Sequence, residues 1–297
     1  MKTIKIKTQI KSCPAHRVKK IIKRNKEQFD WGKIDLIDII PEKKTQKLPI
    51  LFAPGWSITI NTIQDTLTYL VDCGYRVLSL NHKRVGGVKH RSEEDRKATS
   101  ILAILNRKEI EQVDAVGYSE GCTNVLLAAQ MQPEKFRHIV LMTPSGLTSP
   151  ESVMRLSKGF LVDLWDIRNK KDKRTKRCRI VWETVKYILA NPIRSYKEVN
   201  EVANTDLIKL LKGLNKTHIK VSIIHNIEDK TFDFDAVQET LQKAGADIYI
   251  NEFYAVSGRH FGLIKFPRKY MDYVAYALEH FDKLDNKTTY YCKHCKK

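Results

Sequence analysis

Over most of its 297 residues, this chain alternates short apolar runs with stretches of helical spacing. The run LPILFA at 48–53 is nearly uninterrupted in its apolar character, which is typical of a strand buried on both faces. Comparable strand patterns occur at 75–80 (YRVLSL), 113–118 (VDAVGY), 138–143 (HIVLMT) and 220–226 (KVSIIHN). The alternation therefore predicts an α/β fold with a mostly parallel central sheet and helices on both of its faces.

Residues 147–217 interrupt this alternation. The span shows helical spacing and carries large apolar side chains, among them Met154, Phe160, Leu164, Trp165, Trp182, Tyr187 and Ile188. We interpret it as a helical cap inserted into a core that comprises residues 1–146 and 218–283. Residues 284–297 are predicted to form a flexible C-terminal tail.

The N-terminal segment lacks the continuous apolar core of a signal peptide, because Lys alternates with Ile there. Residues 14–29 instead predict a basic helix that Pro14 opens. Elsewhere no stretch approaches the roughly 18 apolar residues of a membrane span. The cysteines are scattered through a chain too long to need disulfide bonds, so we expect a reducing, cytoplasmic location. They are Cys13, Cys73, Cys122, Cys178, Cys292 and Cys295.

The formal net charge of +19 raises the question of a nucleic-acid or anionic partner. Lys outnumbers Arg by 37 to 16, whereas a surface that reads phosphates more often favours Arg. The dense basic run from Arg168 to Arg179 has no interleaved aromatic residues. We therefore do not expect a nucleic-acid partner.

The segment VDAVGYSEGCTN, residues 113–124, places Ser119 between two glycines, after a predicted strand and before a predicted helix. A sharp strand-to-helix turn strains its central residue and needs small neighbours, because the two backbones crowd them. The turn lifts the hydroxyl above the sheet edge, at a helix N-terminus whose dipole favours a developing negative charge. The pattern predicts that Ser119 is a nucleophile.

Four short motifs follow one another along the chain: APGW (53–56), GYSEG (117–121), HNIED (225–229) and SGRH (257–260). With them the chain resembles the α/β-hydrolase fold, and within it the capped serine hydrolases of the esterase and lipase type. The resemblance covers residues 34–283. It implies a catalytic triad in the chain order Ser, then Asp or Glu, then His.

The resemblance implies that the triad acid follows the strand KVSIIHN. Asp229 matches the family's H-G-x-x-D pattern, with Asn226 in the place of its Gly, while Glu228 and Asp233 are alternative acids in the same loop. For the base, relatives show G-x-H before the last helix, and His260 occupies that position. The implied triad is Ser119, Asp229 and His260.

An acyl-transfer site also needs two donors for the negative oxygen of its tetrahedral intermediate. By the resemblance, one is the backbone N–H of Glu120, the residue after the nucleophile. The other is the backbone N–H of Trp56, in the loop after LPILFA. Relatives show His-Gly in that loop where this chain has Pro54-Gly55, so the His side chain that often braces the loop is missing.

These features predict a serine hydrolase that cleaves a carboxylic ester of a small molecule. Lactonase, thioesterase or carbon–carbon bond hydrolase activity could use the same triad, and a ligand-binding receptor on a hydrolase scaffold is the alternative outside catalysis. We expect no cofactor. We also expect no metal, because Cys292 and Cys295 form one C-x-x-C pair without the second pair that a four-ligand zinc site needs. The oligomeric state is left open.

Overall fold

The computed structural model describes residues 6–8, 10, 17–30, 32–81, 92–148, 150–168 and 175–294, without the side chains of 6, 166–168, 175–179, 247 and 286–294. The strands are β1 (Ile6–Lys7), β2 (Lys20–Phe29), β3 (Gly32–Pro41), β4 (Ile50–Ala53), β5 (Val77–Asn81), β6 (Val113–Tyr118), β7 (Phe136–Met142), β8 (Lys220–Asn226) and β9 (Glu252–Val256). The helices are α1 (Ile60–Asp72), α2 (Glu93–Arg107), α3 (Glu120–Met131), α4 (Val153–Arg168), α5 (Thr175–Ala190), α6 (Pro192–Asn204), α7 (Leu207–Gly213), α8 (Phe234–Lys243), α9 (Gly262–Lys265) and α10 (Pro267–His294).

The described strands form one sheet in the order β1-β9-β8-β7-β6-β4-β5-β3-β2. The first seven strands in this order, from β1 at one edge to β5, pair in parallel. The remaining strand pairings, β5 with β3 and β3 with β2, are antiparallel. β6 lies near the middle, between β4 and β7. The prediction of a mostly parallel sheet is confirmed.

Two apolar clusters cover the two faces of this sheet. Leu51 and Ala53 of β4 pack into the cluster that contains residues of α2, α3, α7 and α8. Ile50 and Phe52 pack into the other cluster, which contains residues of α1, α9 and α10. Because successive side chains of a strand point to opposite faces, a strand with helices on both sides buries both of its faces and is apolar at most positions. This explains the run at 48–53.

The predicted basic helix at 14–29 is wrong where the structure describes it. Lys20–Phe29 is strand β2, which pairs residue for residue with the ten residues of β3 at the sheet edge. None of its side chains is fully buried, so neither face required an apolar pattern. Charged side chains suit such an edge because they discourage pairing with further strands. Pro14 lies outside the described residues.

Four helices, α4 to α7, follow β7 and precede β8 in the predicted cap span. The last of them, α7, contacts α3, and its Leu207 and Leu211 belong to a core cluster. We therefore use the term cap for α4 to α6, residues 153–204. The side chains of the basic run are outside the described residues.

The last helix, α10, extends to His294. Its backbone is thus helical through most of the segment for which the sequence predicts a flexible tail from residue 284. The cysteine pair of this segment lies outside the described side chains. No helix in the described part of the chain is long and apolar enough to cross a membrane.

Candidate active site

Ser119 sits at the turn between the central strand β6 and helix α3. Its backbone is strained, with φ 55° and ψ −122°, a conformation that residues other than Gly rarely adopt. A Cβ on Gly117 would lie 2.5 Å from the Cα of Cys122, and one on Gly121 would lie 2.1 Å from the carbonyl oxygen of Ala53. Both positions therefore require glycine, as the crowding argument predicts.

The structure brings His260 and Asp229 to this serine. The Nε2 of His260 is 3.1 Å from the Oγ of Ser119, and its Nδ1 is 2.9 Å from the Oδ2 of Asp229. Asp229 follows β8, His260 follows β9, and both side chains are buried. Because β6, β8 and β9 are parallel, their carboxyl ends meet at one edge, which places the three side chains together.

The two alternative acids point elsewhere. Glu228 is exposed to solvent. Asp233 caps helix α8, where its carboxylate accepts a hydrogen bond from the backbone N–H of Ala236 at 3.1 Å. The second oxygen of Asp229, by contrast, accepts the backbone N–H groups of Thr231 and Phe232, each at 2.9 Å. Of the three carboxylates, the geometry therefore selects Asp229 as the partner of His260.

Burial and charge act in opposite directions on this pair. Burial lowers the pKa of His260, but the charge of Asp229 and its hydrogen bond outweigh burial, with a further contribution from Asp163, and raise that pKa. Burial raises the pKa of Asp229, yet the charge and hydrogen bond of His260 outweigh it and lower that pKa. The arrangement thus favours an ionised carboxylate that stabilises an imidazolium.

Asp163, from cap helix α4, is a carboxylate at the site that the sequence did not single out. Its Oδ2 accepts the backbone N–H of Lys230 at 3.0 Å and both the N–H and hydroxyl of Thr231 at 2.8 Å. Burial, and then the charge of Asp229, raise the pKa of Asp163. A Cβ on Gly159 would meet the carbonyl oxygen of Lys230 at 2.1 Å, so α4 packs directly on the acid loop.

The loop that carries Trp56 also lies against the nucleophile. A Cβ on Gly55 would be 3.0 Å from the Cβ of Ser119. Glu120 begins α3 directly after the serine. Both residues expected to supply the oxyanion donors are therefore beside Ser119, and their role as donors stays a prediction.

An apolar cavity of about 360 Å³ opens above Ser119 and His260. Its far wall comes from the cap and includes Leu156, Phe160, Leu164, Val185, Ile188 and Val202. The site can therefore hold an apolar group next to the hydroxyl and the imidazole. Among the side chains that the structure describes, no group of three or more His, Cys, Asp or Glu could hold a metal ion.

Comparisons with known proteins agree with this architecture. A family model described as alpha/beta hydrolase fold matches residues 49–175. A putative non-heme haloperoxidase of Mycobacterium phage D29 is 22% identical over an alignment of 250 positions, and the match covers 77% of this chain and 87% of that protein.

Solved structures give the same result. A putative lipase from Acinetobacter baumannii AYE superposes with a TM-score of 0.64 at 13% identity, covering 87% of this chain and 91% of that one. An N-acyl homoserine lactonase variant, complexed with N-hexanoyl homoserine, superposes with a TM-score of 0.60 at 11% identity, covering 88% and 97%. This chain has the α/β-hydrolase fold.

Proposed function

We propose that this chain is a serine hydrolase that cleaves a carboxylic ester of a small molecule through an acyl-enzyme. The observation that carries the proposal is the hydrogen-bonded series Ser119–His260–Asp229, whose serine end opens into an apolar cavity. The family-model match and the hydrolases among the structural relatives support it.

The chemistry follows from these contacts. Neutral His260 takes the proton of Ser119 through Nε2 as the serine Oγ bonds to the acyl carbon. The carbonyl oxygen becomes negative, and the backbone N–H groups of Trp56 and Glu120 would donate to it. The leaving alcohol receives the proton from His260. Water, deprotonated by the same imidazole, then attacks the acyl carbon. His260 returns this proton to Oγ of Ser119 as the bond between Oγ and the acyl carbon breaks and the acid is released, and Asp229 stabilises each imidazolium.

The cavity limits the substrate class. A volume of about 360 Å³ is near the lower end of ligand pockets, and its lining is mostly apolar. An uncharged acyl or alcohol group of moderate length fits this description. A lactone, a thioester or an activated carbon–carbon bond would meet the same triad, and the lactonase among the structural relatives makes lactones the first alternative to test.

A panel of p-nitrophenyl esters from acetate to palmitate tests the proposal. We expect kcat/KM to be highest for an intermediate acyl length and to fall for palmitate, because a long chain exceeds the cavity. Acyl homoserine lactones and acyl thioesters are assayed in parallel. Ligand binding without turnover of any member of the panel would favour the receptor alternative and contradict the proposal.

The pH dependence provides a second prediction, which concerns Asp163. Activity requires neutral His260, so kcat/KM should rise with pH as the imidazolium loses its proton. The Asp163 charge stabilises the imidazolium, so Asp163→Asn should lower the pKa of His260 and move the midpoint of the profile to lower pH.

The control for this prediction is Asp233→Asn. It changes a carboxylate in the loop of Asp229 that caps α8 and does not contact the imidazole. Its midpoint should equal that of the wild type. A midpoint in Asp163→Asn that is unchanged, or displaced to higher pH, would contradict the role given to the Asp163 charge.

A further inference from the structure

A buried group of charged side chains lies beneath the site and joins the cap to the core. Lys97 of α2 contacts two carboxylates, with its Nζ 2.5 Å from Oε1 of Glu120 and 3.1 Å from Oε1 of Glu198. Glu198 belongs to cap helix α6, and the three side chains are at most 3% exposed. The other oxygen of Glu198 accepts the indole N–H of Trp56 at 3.0 Å.

We propose that Glu198 is a positioning residue for the oxyanion hole, so that the hole is complete only while the cap is seated. The inference rests on the proposed function, because Trp56 and Glu120 are the residues whose backbone N–H groups would stabilise the oxyanion. Through their side chains, both are tied to the same Glu198–Lys97 pair.

Further contacts hold Glu198 in place. The hydroxyl of Tyr187 donates to its carboxylate, with oxygen–oxygen distances of 2.8 and 2.6 Å, and Arg194 contacts it at 3.0 Å. The ring of Tyr187 also packs edge-on against that of Trp56, with centroids 5.9 Å apart. The orientation of the Trp56 side chain is therefore set by cap residues as well as by its own loop.

Within this group the carboxylates Glu120 and Glu198 face the cations Lys97 and Arg194, and Arg194 also contacts Glu93 at 3.2 Å. Burial raises the pKa of Glu120, against the opposing charge of Lys97. Burial lowers the pKa of Lys97, but the charges of both carboxylates outweigh it and raise that pKa; the Glu198 pKa is lowered because Lys97 and Arg194 outweigh burial. Removal of one charge leaves the others uncompensated away from water, which is costly. We therefore expect the loss of one charge to displace the side chain of Lys97, and with it the position of Glu120.

Such a shift affects catalysis because oxyanion donors act within a narrow range. They must lie about 2.7–3.1 Å from the developing oxyanion, and loss of one donor costs about 10²–10³ in kcat. In relatives, a His side chain often braces the loop that supplies the second donor, and this chain has Pro54 at the position of that His. The tie from Trp56 to Glu198 provides a brace from the cap instead.

Glu198→Gln tests the inference, because it keeps the shape of the side chain and removes its charge. We expect kcat to fall by about 10- to 100-fold, with KM changed by less than about threefold. The second measurement is the inhibition constant of an alkyl trifluoromethyl ketone. Oγ of Ser119 adds to the carbonyl carbon of this inhibitor, the serine proton passes to His260, and the ketone oxygen becomes an oxyanion. Its Ki should rise in parallel with the fall in kcat/KM, whereas the Ki of the methyl ketone of equal length should not.

Glu201→Gln is the matched control, because this carboxylate also ties α6 to α2. It accepts the backbone N–H groups of Glu93 and Glu94, each at 3.1 Å, and it does not contact Trp56 or Lys97. A loosened cap would affect both variants, whereas a positioning role affects Glu198→Gln alone. We expect kcat and both Ki values of Glu201→Gln to stay within about threefold of the wild type.

Trp56→Phe tests the inference if Glu198→Gln folds poorly, since it removes the indole donor and part of the ring volume but keeps a ring against Phe160 and Tyr187. It should lower kcat by about tenfold, and the double variant with Glu198→Gln should lose less than the product of the two single effects. Equal losses in Glu198→Gln and Glu201→Gln, or an unchanged trifluoromethyl ketone Ki in Glu198→Gln, would overturn the inference. If instead the wild type hydrolyses no ester and Ser119 is not labelled by a fluorophosphonate, the proposed function fails.

Discussion

Replacing Ser119 with alanine is expected to lower kcat by about 10⁶-fold, as removal of the nucleophile of a catalytic triad does. The serine Oγ, 3.1 Å from Nε2 of His260, is the atom that would bond to the acyl carbon, and alanine has no counterpart. The experiment compares hydrolysis of the best ester from the panel in wild type and variant. A fluorophosphonate probe should label the wild type at Ser119, as peptide mapping can establish, and should not label the variant.

Cys122 provides the matched control, because it is the other nucleophilic side chain in the same turn and helix. It is fully buried, its thiol contacts the carbonyl oxygen of Met142 at 3.5 Å, and burial raises its pKa. A protonated, buried thiol is a poor nucleophile, so Cys122→Ala should keep its labelling and turnover. Labelling that persists in Ser119→Ala, or disappears in Cys122→Ala, would refute the assignment of the nucleophile.

The second largest effect is expected for Asp229→Asn, which should lower kcat by about 10⁴-fold. The Asp229 carboxylate accepts a hydrogen bond from Nδ1–H of His260, with 2.9 Å between Nδ1 and Oδ2, which leaves Nε2 free to take the serine proton. An amide keeps the shape of the side chain, but it neither stabilises the imidazolium nor enforces that tautomer. Steady-state kinetics on the best ester measure the loss.

The other two carboxylates of the same loop serve as controls. Glu228→Gln should remain within about tenfold of the wild type, because this side chain is exposed. Asp233→Asn should also keep its activity, and removal of the charge from the cap of α8 should cost at most about 1 kcal/mol of stability. If Asp229→Asn retains most of the activity while either control loses it, the assignment of the acid is wrong.

Much of the fold could be predicted because local rules and tertiary environment agree in the central sheet. The strand patterns at 48–53 and 113–118 correspond to β4 and β6, whose every residue is buried. The turn at Ser119 could be predicted for the same reason, since the glycines at 117 and 121 meet a crowding that no other residue tolerates. Strand β2 could not, because an exposed edge strand carries no apolar pattern.

The choice among three acids in one loop shows where the sequence alone reached its limit. The resemblance favoured Asp229, but only the tertiary structure turns that side chain toward His260 and Asp233 toward the N-terminus of α8. Sequence spacing does not encode these directions, because they depend on how the loop packs against β9 and the cap.

The sequence by itself determined the architecture and the candidate nucleophile, since periodicity predicts the strands and helices and the glycines beside Ser119 predict the turn that presents it. The family resemblance added His260 and a choice among three acids. The tertiary structure decided which charges surround that triad. Asp163 and Glu198 reach the site from cap helices that are distant in the chain from the residues they contact. A buried carboxylate is stabilised by partners that only the fold brings near, so its role becomes visible only once those partners are in place.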